Sequence, residues 1–500
     1  MKKLMVYSHD TFGLGNVRRM LSICKQLIDS IPDLSILFIT GSPMIHCFRI
    51  PLRFDYVKLP CLSRTDRDSY SVKYLNTRIN ETVKLRSDLI LNTAKNFKPD
   101  LLLIDKKPYG VKKELAATVA YIKTHCPNTK LVLLLRDILD SQEQTKKIWK
   151  EQGYYKAIQS YYDLLLIVGE DKIFDSRKEY CFPASASEKV RFCGYIKKEV
   201  GSKSPATTKK ELKIGKEKLI LVTAGGGEDG YTLLDTYIKG LERMPIGHNT
   251  KSLIVCGPEM PDYQKKELYK NAARYPHAQI CEFTSDLISY MDASDLIVSM
   301  GGYNTICEIL SLNKRAIVVP RFRPVREQWM RADRLAQLGF IKTIHPDLLT
   351  TQNLIQTVLH ELNSINGYAK PSFDLHLRAL PNISRHVSNL LNNVDSVDAD
   401  KGDLKEIVDP LKDSMILDFG HEINNPNSII MFNAPLIEDA WKDAVPILLE
   451  YYRKHGEFSL GGLPFSEMRG TMPKLLNGIS DGSQRINKVT HKLKNVVIEQ

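Results

Sequence analysis

The sequence predicts an α/β protein with two doubly wound halves facing a cleft, followed by a helical tail. Three observations carry that expectation. Short, continuous apolar runs alternate with amphipathic stretches over roughly the first 390 residues; a polar segment splits the runs into two groups; and near residue 395 the runs stop and helical periodicity takes over. Five hundred residues are in any case too many for one core.

In the first half the runs are "LMVYS" (4–8), "LSILFIT" (34–40), "LLLID" (101–105), "LVLLLRD" (131–137) and "LLLIVG" (164–169). In the second they are "LILVTAG" (219–225), "SLIVCG" (252–257), "LIVSMGG" (296–302) and "AIVVP" (316–320). Apolar runs of this length, separated by helices, read as parallel strands buried on both faces. Between the halves, "GSKSPATTKK" (201–210) reads as a linker. Open parallel sheets bind ligands beyond the C-terminal ends of their strands, so a ligand is expected between the halves.

At 43% apolar and 26% charged residues, the composition is that of an ordinary soluble protein. "MKKLMVY" is too short an apolar stretch for a signal peptide, and no run of about 18 apolar residues suggests a membrane span. Nine cysteines without a CxxC pair point to reduced thiols in a cytoplasm, with neither a disulfide framework nor a metal site. The net charge of +12 is uneven: the first 400 residues carry +14 and the last hundred −2. A basic body suits an anionic ligand or a peripheral contact with an anionic membrane surface. No nucleic-acid partner is expected.

Polar residues crowd the predicted strand ends of the first half: His9 and Asp10, Asp105 and Lys106, Arg136 and Asp137, Glu170 and Asp171. Each alone also fits a helix cap or turn, but one shared sheet edge favours a site. Three Gly-rich turns follow strands. "SHDTFGLGNVRRM" (8–20) contains Gly13 and Gly15, and Arg18 stands where a dinucleotide fingerprint needs a third glycine, which disfavours a nicotinamide site. In "TAGGGEDG" (223–230) and "SMGGYNTICEIL" (299–310), glycines let backbone amides approach an anion. Glu308 follows the second of these turns, where a carboxylate can accept two hydrogen bonds from a ribose diol. "PRFRPVREQWMRADRL" (320–335) brings Arg321, Arg323 and Arg326, which can neutralise a diphosphate, beside Glu327 and Gln328, which can bond sugar hydroxyls.

The ordered set "TAGGGEDG", "VCGP", "FTSDLISYMDASDLIVSMGGYNTICE" and "PRFRPVREQ" resembles the nucleotide-sugar domain of GT-B glycosyltransferases. The nearest resemblance is to the branch of the lipid-II-forming N-acetylglucosaminyltransferase, and "SHDTFGLGNVRR" is similar to that branch's acceptor-side glycine loop. The resemblance covers about residues 1–390. It implies two Rossmann-like domains facing a cleft and inverting transfer from a nucleotide sugar, a UDP-sugar, to an acceptor, with no further cofactor. It also implies roles: Glu308 on the ribose; Gly226, Gly301 and Gly302 near the diphosphate; Arg323 beside them; Glu327 and Gln328 toward the donor sugar; Gly13, Gly15 and Asn16 in the acceptor loop. The family's loop usually ends in histidine where this chain has Asn16, and an amide is no general base. Asp10 or His9 is then the expected catalytic group. An epimerase of nucleotide sugars, or a sensor that binds the donor without turnover, remains an alternative on the same fold.

In the tail, Leu475, Ile479, Gly482, Ile486, Val489, Leu493 and Val496 alternate in steps of four and three, a heptad seam suited to a helical hairpin or dimer. Upstream, "DFGHEINNPNSI" (418–429) sets His421 beside Glu422, with Pro426 loosening the helix. An acid next to an exposed imidazole can orient it and take its proton during attack on a phosphoryl group. "HEINNPN" resembles the phosphoacceptor box of sensor histidine kinases, and residues 461–496 are similar to the second dimerisation helix of one subgroup. That implies His421 as phosphoacceptor, a homodimer, and a histidine kinase or response regulator as partner. No ATP-binding pattern follows before Gln500, so either phosphate comes from a kinase domain on another chain or the sequence is a truncated product. The expected division is 1–200, 211–390, a linker 391–404 and the helical module 405–500.

Overall fold

The computed structural model describes residues 2–9, 15–64, 69–245, 249–364, 373–392, 410–461 and 463–498; the side chains of 64, 410–429, 432, 436, 485 and 487–498 lie outside the description. The chain divides into two compact units, Met1–Ser396 and Val397–Gln500.

The larger unit contains two parallel sheets. The first is built from β1 (Lys2–Tyr7), β2 (Leu34–Thr40), β3 (Phe54–Lys58), β4 (Leu101–Asp105), β5 (Lys130–Arg136), β6 (Leu164–Val168) and β7 (Val190–Phe192), in the order β3-β2-β1-β4-β5-β6-β7. The second comprises β8 (Lys218–Thr223), β9 (Thr250–Val255), β10 (Ala278–Cys281), β11 (Leu296–Ser299), β12 (Ala316–Val318) and β13 (Lys342–Thr343), in the order β10-β9-β8-β11-β12-β13. Both reverse direction beside their first strand, between β1 and β4 and between β8 and β11, and a doubly wound sheet opens its ligand crevice at such a point.

The central strands are apolar because both faces are covered. Leu101–Ile104 and Leu131–Leu134 are buried throughout, and each such side chain contributes about 1.5–3 kcal/mol. Helix α1 (Gly15–Ser30) turns Val17, Met20, Ile23, Cys24, Leu27 and Ile28 inward at helical spacing, and the chain leaves it before Pro32. One core cluster runs through the first sheet and continues to residues of the second, while the other face of the second sheet has its own core.

Three further helices position the site: α2 (Tyr303–Ser311), α3 (Glu327–Gln337) and α4 (Ala379–Leu391). Helix α4 returns to pack on α1, guided by Tyr195 N–H donating to His376 O at 2.9 Å. The segment read as a linker holds a helix, Pro205–Glu211, capped by Ser204 accepting from Thr207 N–H at 3.2 Å. Its Ser-Pro start is a helix-initiation signal within a polar stretch.

The smaller unit is two long helices, α5 (Pro410–His455) and α6 (Phe465–Ile498), packed on each other. A two-strand ladder, Ser459–Leu460 with Leu463–Pro464, joins them, and Phe458 stacks on Phe465 at 4.8 Å. Helix α5 runs without interruption through Pro426, where loosening was expected.

Candidate active site

The first sheet's edge begins where β1 ends. Ser8 and His9 are buried, and Asp10 and Gly13 lie outside the described residues. Asn16 takes up its position one residue into α1. Its Nδ2 donates to His9 O at 2.9 Å, and its Oδ1 accepts from Arg136 Nη2. Arg136, at the end of β5, donates in turn to Glu327 at 3.3 and 3.4 Å. The amide accepts from an arginine on one side and donates to a carbonyl on the other.

Two more ion pairs consume acids at this edge. Asp105 accepts from Arg19 at 2.6 Å. Asp137 accepts a bidentate pair from Arg331 of α3 at 2.7 and 2.8 Å and a third bond from Tyr195 at 2.9 Å. Since Asp137 follows β5 and Arg331 lies on α3, this fully buried pair ties the two halves together.

The second sheet's edge is built of glycines. Gly225 and Gly227 after β8, and Gly257 after β9, have φ of 68°, 101° and 92°. A Cβ on Gly227 would meet Cys256 O at 2.5 Å, and one on Gly257 would meet Gly225 O at 2.6 Å, so the two turns interlock through bare backbone. A Cβ on Gly226 would come to 2.8 Å from Glu259 Oε2. After β11, Gly301 is held against Pro320, and Gly302 caps α2, where a Cβ would meet only Thr305 Oγ1 at 3.8 Å. Asn304 Nδ2 donates to Gly15 O at 3.3 Å, which brings the turn at 301–302 to the start of α1.

Glu308 lies in the second turn of α2; burial pushes its carboxyl up, against Lys198 and Arg18. Gln328 Oε1 accepts from Arg321 N–H at 3.1 Å and so braces the preceding loop, and Arg321 pairs with Asp229 of the glycine turn at 3.2 Å. Arg323 is exposed. Burial would raise the Glu327 carboxyl, but Arg136, then Arg331, Lys106 and Arg321, outweigh it and hold it at about 2. Glu327 thus sits as a carboxylate inside a ring of cations, a setting that favours a polyanion beside it.

Between the halves lies a cavity of about 100 Å³. Lys106, Asp140, Trp149 and Tyr154 line it from the first half, and Arg321 and Glu327 from the second. Asp140, Trp149 and Arg331 carry no sequence signal, because nothing in their local pattern announces a partner in the other half. The described residues contain no group of three His, Cys, Asp or Glu side chains able to hold a metal ion. His421 and Glu422 belong to α5 of the other unit, and their side chains lie outside the description.

Two sheets of this order meeting over a shared cleft define the GT-B class of fold. Residues 219–378 match the glycosyltransferase family 28 C-terminal domain. Over 128 residues, 26% of the chain, the sequence is 24% identical to the UDP-N-acetylglucosamine–N-acetylmuramyl-(pentapeptide) pyrophosphoryl-undecaprenol N-acetylglucosamine transferase of Haemophilus ducreyi. It is 24% identical to the Fusobacterium nucleatum enzyme of the same name over 189 residues, 38% of the chain. The matches span 35% and 49% of those two relatives' own lengths. Among solved structures, Acinetobacter baumannii MurG superposes with a TM-score of 0.50 at 15% identity, over 79% of this chain and 100% of that one. A putative UDP-N-acetylglucosamine 2-epimerase from Listeria monocytogenes superposes at 0.54 and 13% identity, over 79% and 98%. These likenesses show the fold. No helix among the described residues is long and apolar enough to cross a membrane.

Proposed function

We propose that the α/β body transfers a sugar from a UDP-sugar to an acceptor with inversion. The observation that carries this reading is the pair of glycine turns, 225–227 and 301–302, flanking the switch point of the second sheet within the matched family 28 domain. In it, the turns bring backbone amides to the diphosphate, Glu308 takes the ribose hydroxyls, and Arg323 meets the phosphates from the rim. Glu327 and Gln328, both already bonded within the protein, stand at the sugar end as fixed acceptors. The halves act as domains of about 1–200 and 211–390, and the site is cytoplasmic.

A thermal-shift screen of UDP-sugars, with UDP-N-acetylglucosamine as first probe, tests the binding step; a ligand at 100 times its Kd stabilises by about 2.7 kcal/mol. Release of UDP then tests the chemistry. Interconversion of the donor sugar without UDP release would replace transfer by epimerisation, and binding with neither outcome would leave a sensor.

For the tail we propose a homodimer whose His421 accepts a phosphoryl group from a histidine kinase, with Glu422 as its acid/base neighbour. Support comes from α6: Phe465, Met468 and Leu476 are buried, whereas Leu475, Ile479 and Ile486 of the heptad seam are 54, 48 and 39% exposed in the single chain. Apolar seam positions exposed to this degree among the described residues, at a regular 3.5-residue spacing, are what a second copy covers. Acid-labile label transferred from an added kinase, and lost in His421→Gln, is the expected result.

A further inference from the structure

The cavity between the halves has the size and the walls of a slot for one flat ring. Its volume is about 100 Å³, and a dry cavity of about 150 Å³ takes up benzene. Most of its lining comes from the first half; the second adds Arg321, Val325 and Glu327. Tyr70, Leu139, Ile148, Trp149, Tyr154 and Val325 give it an aromatic and aliphatic wall, and Lys106 and Lys107 bring cations to it.

Local structure fixes each part of that wall. The helix Gln142–Gln152 sets Thr145, Ile148 and Trp149 at i, i+3 and i+4, so the three share one face. Gly153, with φ of 72°, ends the helix in the left-handed turn that favours glycine, and Tyr154 opens the next helix. The Trp149 ring stacks on Phe182 at 5.0 Å and meets Tyr154 edge-on at 6.0 Å. Both Trp149 and Tyr154 are only 4% exposed, so the two rings are locked before any ligand arrives. On the charged side, Lys106 follows β4 with φ of 73°, a backbone conformation lysine rarely adopts, and its N–H donates to Leu134 O at 2.8 Å. Lys107 Nζ donates to the Tyr70 hydroxyl at 3.4 Å.

Sugars, aliphatic alcohols and phenols all carry a hydroxyl that can accept a glycosyl group. A sugar bears hydroxyls around its rim, and each would need a partner on a wall made largely of carbon. An aliphatic alcohol suits the wall but holds its proton tightly and needs a strong base. The carboxylates of Asp105, Asp137 and Glu327 at this edge are each bonded to an arginine, which weakens them as bases. A phenol meets both conditions. Its ring matches the aromatic wall, and its hydroxyl, which ordinarily ionises near pH of about 10, gives up its proton more readily beside ammonium groups. We infer that the acceptor is a phenol, alone or as the end of a larger molecule, seated against Trp149 and Tyr154 with its oxygen toward Lys106 and Lys107; the inference rests on the UDP-sugar reading above. The phenol oxygen forms the bond to the anomeric carbon as its proton leaves to water. The bond from that carbon to the diphosphate oxygen breaks, and its electron pair departs with UDP.

The experiment uses the full chain, UDP-N-acetylglucosamine as donor, and phenol, cyclohexanol and methyl glucoside as acceptors, with products read by mass spectrometry. Phenol is expected to be glycosylated with a kcat/KM about 10-fold or more above either rival. Trp149→Leu should lose that preference and still bind the donor in calorimetric titration. Because Trp149 is buried, Ile148→Trp serves as a second variant: Ile148 is half-buried on the same helix face, and a larger ring there fills the slot. Its phenol transfer should fall by about 10-fold or more with donor binding kept. Equal rates for phenol and cyclohexanol, a preference for methyl glucoside, UDP release without any aryl glycoside, or an undiminished phenol preference in both variants would each overturn the acceptor assignment while leaving the transfer reading standing. Absence of donor binding in wild type would remove the transfer reading, and the acceptor with it.

Discussion

The two sheets share a strand order but furnish their C-terminal edges differently. The first ends in charged side chains: Asp105, Arg136, Asp137 and Asp140. The second ends in glycine turns that pack through bare backbone. The charges of the first edge are mostly spent on internal pairs, two of which reach α3 of the second half. The glycines of the second are spent on interlocking turns that no side chain could enter. One edge thus ties the two halves together through charged pairs; the other is shaped by bare backbone turns.

If that division holds, the largest effect comes from breaking the buried tie. Arg331→Met leaves Asp137 charged and without its guanidinium partner, and the loss should be about 3–5 kcal/mol in denaturant unfolding of the full chain. A loss under 1 kcal/mol would mean the halves do not depend on the pair. On the glycine side, Glu308→Ala should weaken UDP-sugar binding by about 1.5–3 kcal/mol with unfolding little changed, read by calorimetric titration. Unchanged affinity in a folded variant would remove Glu308 from the donor site. Gly227→Ala meets both a positive φ and a carbonyl at 2.5 Å, and should cost about 1–3 kcal/mol of stability together with donor affinity. Wild-type melting and binding would show that the turns yield more readily than their packing implies.

A smaller effect is set by pH. The Glu327 carboxyl is held at about 2, below an unfolded value of about 4.3, so its pair contributes fully above that unfolded value. The contribution fades as pH falls from there toward about 2. Thermal melts from pH 6 to pH 3 should therefore decline more steeply in wild type than in Glu327→Gln; parallel curves would exclude an ionised Glu327 as a source of stability. The smallest effect on the α/β body comes from the tail. Replacing Leu475 and Ile479 by Ser should turn a dimer into a monomer in light scattering while the body's melting is unchanged, and an unaltered mass would sink the seam.

The sequence showed the central strands and hid the marginal ones, for a physical reason. Phe54–Lys58, Val190–Phe192, Ala278–Cys281 and Lys342–Thr343 escaped notice, and all four are sheet edges. An edge strand has less of its surface covered, so its sequence need not be a continuous apolar run. The glycine turns were legible because only glycine tolerates their φ and crowding. The partners of Asp137 and Arg136 were not, since Arg331 and Glu327 lie 194 and 191 residues away and no local pattern encodes such pairings. Glu327 and Gln328 were read as facing a sugar, and each is first of all bonded to its own protein.

The return of α4 to α1 bears on how the chain is made. The apolar face that α1 presents is completed by residues 379–391, more than 300 positions later. At roughly 5–20 residues per second, a ribosome takes roughly twenty seconds to over a minute to deliver that cover. Throughout that interval the first half exists without one of its walls, with part of its helix layer open to water. The second half, whose sheet and inner core lie within residues 218–362, can close on itself before α4 emerges. The order of completion therefore runs against the order of synthesis: the half made first is finished last.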